Sequence, residues 1–189
     1  MKKILLMFFL SVCVYAKDDP GELPDFTPML SIRSLDTGIN LAVSRDRKKL
    51  IDQNWVVVEL EPISALTNRD KMFKKIPFFG YVQFHSPSKD GQCLAILPSG
   101  FFGLKSCKED LDKNDVETVF SIMPTTTPAV QIRSLVLNSD ECISTFENPN
   151  VPIEKRFGIT KCTLDDFFFA QVDELLFFAP PLMESTPLN

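Results

Sequence analysis

A chain with a single histidine has few ways to move a proton near neutral pH, and here that residue is His85. It lies in Val82-Gln83-Phe84-His85-Ser86, where alternation turns Val82 and Phe84 inward and leaves His85 as a solvated residue on the outer side of a strand. Chemistry that needs both proton transfer and phosphate stabilisation cannot be staffed by one imidazole. Asp110, Asp112 and Asn114 have the odd-position spacing of a calcium loop. Asp115 replaces the Gly needed at its sixth position, however, and Ser121 stands where a closing Glu belongs, so a solvated acidic loop is expected. Asp165-Asp166 is a carboxylate pair, yet neighbours on a strand point to opposite faces and cannot share acid/base work. No catalytic residue, metal site or cofactor is assigned.

The cysteines carry a different chemistry. Cys93, Cys107, Cys142 and Cys162 are an even set whose nearest members are fourteen residues apart, unlike the close pairs that hold zinc. Disulfides in an oxidising compartment are expected. The fifth cysteine, Cys13, belongs to the leader: Lys2 and Lys3, an apolar run and Ala16 read as a secretory signal peptide over residues 1–16. That run is shorter than the ~20 apolar residues that span a bilayer. Leu10-Ser11-Val12-Cys13 also resembles a lipobox, with bulky Val12 where a small residue is usual. Without the leader, 18 basic and 25 acidic residues remain, a net charge of −7. That balance argues against a direct nucleic-acid partner, which would require phosphate neutralisation.

Positioning falls to a repeated unit. Leu30-Ser31-Ile32-Arg33-Ser34, Val82-Gln83-Phe84-His85-Ser86 and Val130-Gln131-Ile132-Arg133-Ser134 share one pattern and start 52 and 48 residues apart. Their apolar members face inward and their polar partners outward. Second strands are expected at 39–43, 93–97 and 142–146. Third strands occur in two copies, Phe102-Gly103-Leu104-Lys105-Ser106-Cys107 and Phe157-Gly158-Ile159-Thr160-Lys161-Cys162, matched at Phe, Gly, aliphatic and Cys. An aromatic strand closes each unit, at 55–60, 119–123 and 168–172, and Asp36-Thr37-Gly38, Lys89-Asp90-Gly91 and Asn138-Ser139-Asp140 supply turns.

Four strands taken three times make an all-β β-trefoil, in which three units share the core that none could bury alone. The common register predicts the bonds Cys93–Cys107 and Cys142–Cys162. A Cys opening strand two and another ending strand three is the pattern of ricin B lectin-like repeats. The first repeat has neither Cys nor Phe-Gly and is degenerate. Trp55, Phe120 and Phe169 occupy the closing aromatic position, and no Gln-x-Trp signature survives. The expected organisation is a leader at 1–16, an extended tail at 17–29, the trefoil at 30–175 and a C-terminal tail at 176–189. The long connection at 62–77 has room for a short helix around 69–75.

Several stretches resemble the C subunit of cytolethal distending toxin. They are Ser31-Ile32-Arg33-Ser34-Leu35, Asp52-Gln53-Asn54-Trp55, Gly80-Tyr81-Val82-Gln83-Phe84, Cys93-Leu94-Ala95-Ile96-Leu97, Glu117-Thr118-Val119-Phe120-Ser121-Ile122-Met123-Pro124, Arg156-Phe157-Gly158-Ile159 and Thr186-Pro187-Leu188. The similarity runs from about residue 25 to the end. It implies a non-catalytic cell-binding subunit that pairs with a second ricin-like subunit and carries a DNase I-like subunit to host cells. It also implies that the N-terminal tail engages the nuclease, for which Leu23, Phe26 and Met29 are candidate apolar anchors. Phe78, Phe79 and Tyr81, beside Pro77 and Gly80, read either as core or as an aromatic patch for host-cell glycan or cholesterol-rich membrane. In this family the region has been linked to cholesterol through a Leu/Val-Tyr-Lys/Arg pattern; here Ile76 takes the first place, and the nearest Lys after Tyr81 is Lys89. The alternative function is a stand-alone secreted lectin. A trefoil protease inhibitor would show a protruding basic loop braced by a disulfide, and none is evident.

Overall fold

The computed structural model describes residues 29–43, 49–152, 155–164 and 170–183. Ten strands form one curled antiparallel sheet: β1 (Ser31–Ser34), β2 (Val56–Leu60), β3 (Tyr81–His85), β4 (Gln92–Ile96), β5 (Phe102–Ser106), β6 (Phe120–Pro124), β7 (Val130–Ser134), β8 (Glu141–Thr145), β9 (Phe157–Lys161) and β10 (Leu176–Ala179). The last strand of each unit pairs with the first strand of the next: β2 with β3, β6 with β7 and β10 with β1. Within units the first and last strands touch at Leu30↔Trp55, Val82↔Phe120 and Val130↔Leu176. Those six pairings close a ring, and the hairpins β4–β5 and β8–β9 extend from it. This is a β-trefoil.

Register makes the threefold equivalence explicit and fills the core. Ile32, Phe84 and Ile132 form one equivalent set, Leu41, Leu94 and Ile143 a second, and Trp55, Phe120 and Leu176 a third, all at 0–1 % exposure. Alternation selects these positions because successive side chains on a strand face opposite sides. The same register corrects the closing strand of the third unit. Val172–Glu174 is a short 3-10 helix, and the strand is β10, so Leu176 rather than Phe169 matches Trp55 and Phe120. The boundary expected at 175/176 therefore cuts the domain one strand short. Phe168 and Phe169 lie outside the described residues.

The first unit is degenerate in a specific way. Its expected second strand is reduced to the bridge Arg33↔Asn40 and one Leu41 N–H bond to the Ile32 carbonyl. Asn40 stands where the other units have Cys93 and Cys142, and its amide oxygen accepts from Arg33 Nε at 3.0 Å.

Several polar residues of the first strands are not on the outside, as expected, but buried, while Arg33 and His85 are partly exposed. Gln83 and Gln131 are 2 % and 6 % exposed and Arg133 is 2 % exposed. Segments outside the repeat cover them. Gln83 donates to Thr118 Oγ1 at 2.7 Å, Gln131 donates to Glu174 at 2.6 Å, and Arg133 forks onto Asp70 with two 2.8 Å contacts. Asp70 follows helix α1 (Ser64–Arg69), which ends where a helix at 69–75 was expected to begin. The 62–77 connection is thus pinned to the third unit.

Candidate functional site

Both expected disulfides are present, Cys93–Cys107 and Cys142–Cys162, each bracing a strand-two/strand-three hairpin. A second helix, α2 (Cys107–Lys113), starts at the first of these bonds. Ser106 caps it by accepting from the Glu109 N–H, and Asn114 ends it in the left-handed conformation at φ 55°. The Ser106-x-x-Glu109 spacing is a capping signal present in the sequence, and it was passed over in favour of a solvated loop.

The calcium-like residues are absorbed by that helix, which replaces the solvated loop expected there. Asp110 is fully buried: its carboxylate accepts from the Glu117 and Thr118 N–H groups and the Thr118 hydroxyl, and pairs with Lys105 at 2.9 Å. Asp112 pairs with Lys108, and Asn114 serves as the cap. Burial pulls the Lys105 ammonium down, but hydrogen bonds to Asp115, Glu117 and Asp110 outweigh it and hold the pKa above its ordinary value. Asp110 thereby ties α2 to the start of β6. Asp165 and Asp166 lie outside the described residues.

His85 is not the solvated residue that alternation suggests. Its Nδ1 lies 3.8 Å from Cys107 Sγ, and its Nε2 is buried without a partner. Burial lowers its pKa below 6.5, favouring the neutral imidazole. Among the described residues, its only neighbours with metal-ligating chemistry are Cys93 and Cys107, whose sulfurs are bonded to each other. No acid/base pair forms around it.

The aromatic trio separates into two roles. Tyr81 is 1 % exposed and donates to Asp70 at 3.1 Å, so it is core and cannot be a lipid or glycan contact. Burial, then Asp70, hold its phenol well above the ordinary tyrosine range. Phe78 and Phe79 are 42 % and 44 % exposed, and Phe78 leans edge-on against Tyr81 and Phe73. Of the tail anchors, Met29 is half-buried beside the first strand, whereas Leu23 and Phe26 lie outside the described residues.

Sequence reading passed over one concavity. A cleft of about 470 Å³ opens between the third unit's hairpin and the first unit's turn, lined by Asp36, Ser144, Phe146, Glu147, Gly158 and Asp173 among others. The ring of Phe146 lies over Gly158, where an added Cβ would sit 3.3 Å from it; Leu97 over Gly103 is the equivalent pair in the second unit. Carboxylates and hydroxyls beside an exposed aromatic face suit a neutral, hydroxyl-rich ligand, and none of the described residues lining the cleft is a cation. The Phe-Gly repeat was the available signal.

Ring, hairpins and disulfides together define a disulfide-braced β-trefoil. A family model described as the cytolethal distending toxin A/C domain matches residues 29–187. The chain belongs to that family. Among solved structures it is similar to a chain of the Haemophilus ducreyi cytolethal distending toxin, with 22 % identity and a TM-score of 0.62 over 90 % of this chain and 99 % of that one. A chain of the toxin from Actinobacillus actinomycetemcomitans gives 22 % identity and a TM-score of 0.61 with the same coverage. The BEL β-trefoil gives 15 % identity and 0.50 over 80 % and 91 %. Comparison with curated protein sequences finds no match.

Proposed function

We propose that this chain is the C-type, non-catalytic cell-binding subunit of a tripartite cytolethal distending toxin. It pairs with a second ricin-like subunit, and together they deliver a DNase I-like subunit to host cells. The observation that carries the non-catalytic part is the placement of the only histidine: His85 is wedged against a disulfide, with no titratable partner among the described residues to make it an acid or base. Family membership over the whole trefoil supports the toxin assignment. The leader at 1–16 takes the chain out of the cytoplasm, and the net negative mature chain leaves DNA to the nuclease.

Host-cell contact has two candidate surfaces. Exposed Phe78 and Phe79 suit a cholesterol-rich membrane, and the Phe146 cleft suits a surface glycan. Residues 17–29 reach the nuclease. Two assays test the reading. The purified mature chain should leave supercoiled DNA intact with Mg²⁺, and cleavage abolished by His85→Ala would overturn it. A form starting at Leu30 should still pair with the second trefoil but lose the nuclease on co-purification; retention at full yield would remove the tail from the assembly.

A further inference from the structure

The two disulfides are equivalent in the fold but not in their chemistry. Cys93 lies opposite His85 in the register, just as Cys142 lies opposite Arg133. Exposure does not separate the bonds: Cys93 and Cys142 are 0 % exposed, Cys107 and Cys162 6 % and 5 %. Their surroundings do. Cys142 and Cys162 pack in an apolar cluster with Met123, Ile76 and Leu164, and the Arg133 guanidinium is committed to Asp70 and the Ser139 carbonyl. Cys107 Sγ instead faces an imidazole nitrogen at 3.8 Å, on a ring whose other nitrogen has no partner.

Thiol–disulfide exchange depends on how well the departing sulfur carries negative charge. A ring N–H donated by an adjacent imidazole stabilises a departing thiolate, and an apolar shell raises a thiol's pKa. We propose that Cys93–Cys107 is a thiol-exchange site, opened selectively by a small thiol or dithiol reductant, with His85 holding the departing Cys107 sulfur, whereas Cys142–Cys162 is a permanent brace. The reductant's thiolate attacks Cys93 Sγ and the disulfide breaks. Its electron pair leaves on Cys107 Sγ, which accepts a hydrogen bond from the His85 ring N–H. A second reductant thiol then attacks the mixed disulfide on Cys93, releasing oxidised reductant and passing its proton to the Cys93 sulfur. The Cys107 thiolate takes from water the proton that the first reductant thiol had lost, so one protein disulfide becomes two thiols while two reductant thiols become one disulfide. Opening the bond removes the covalent tie between the start of α2 and β4, leaving α2 held by the Asp110 contacts and the Cys107 N–H bond to the Gly91 carbonyl. His85 is a positioning residue here.

The test is timed reduction of the native mature chain by dithiothreitol, quenched by alkylation and read by peptide mapping. Alkylation at Cys93 and Cys107 should precede that at Cys142 and Cys162 by about tenfold in rate, in proportion to thiol concentration. His85→Ala should slow the first pair to the rate of the second. A purely structural role predicts the opposite sign, because a loosened variant would be reduced faster. His85→Gln, which keeps a polar group, serves if the alanine variant fails to fold, and should also slow opening. Equal rates in the unmodified chain, earlier reduction of Cys142–Cys162, or faster opening in the His85 variants would overturn the proposal.

Discussion

Asp70 and Arg133 meet with both carboxylate oxygens 2.8 Å from guanidinium nitrogens, at 0 % and 2 % side-chain exposure. Removing one partner of such a pair strands a buried charge, so Asp70→Ala should lower stability by about 3–5 kcal/mol in chemical denaturation. Replacing both by apolar residues of similar volume should recover most of the loss. This pair was not legible in the sequence: Asp70 sits in a connection with no repeat partner, 63 residues from Arg133, and alternation had assigned Arg133 outward. His85 was misassigned for the same reason, since period two says which side a residue faces and not what covers that side. Because burial depresses its pKa, the unfolded chain takes up a proton near pH 6.5 that the folded chain resists. Stability on this account is complete above that pH and falls as pH drops below it. The decline in Tm between pH 6.5 and about 5 should be shallower in His85→Gln; identical slopes in differential scanning fluorimetry would contradict the assignment.

At the scale of elements, the repeat made β1, β3, β7 and both Phe-Gly hairpins legible because each copy confirmed the others. The last strand was misread where aromatic content outweighed position: the closing strand was expected at 168–172, while the true one comes after a 3-10 turn, at β10. Its Leu176 is fully buried, and four of its residues pair with β1. Beyond it, the Asn54 side-chain amide donates to the Leu182 carbonyl at 2.9 Å and accepts from the Leu182 N–H at 2.8 Å. A chain ending at Leu175 should therefore lose the ring closure between the first and third units, along with cooperative unfolding and near-ultraviolet dichroism. One ending at Met183 should keep both. A native-like spectrum from the shorter chain would return β10 to the status of a tail. In the first unit Asn40 holds the place of the strand-two cysteine and accepts a hydrogen bond from Arg33 on β1, so the disulfide of the other two units has no counterpart at that position.

The whole molecule is a closed ring of strands with its apolar triads inside, and such a body offers only its surface for function. That surface carries two exposed phenylalanines on one connection, a carboxylate-lined cleft between units, and half-buried Met29 beside the first strand. Family membership was readable in the repeat and its flanking motifs, whereas the cleft depends on residues brought together from the first and third units and was not. The central claim is that this chain works as one part of a three-chain toxin. Native mass spectrometry of the mature chain co-expressed with a second trefoil subunit and a DNase I-like subunit tests it most directly. The account predicts a single species holding one copy of each; a stable pair of the other two chains, with this chain free in solution, would contradict it.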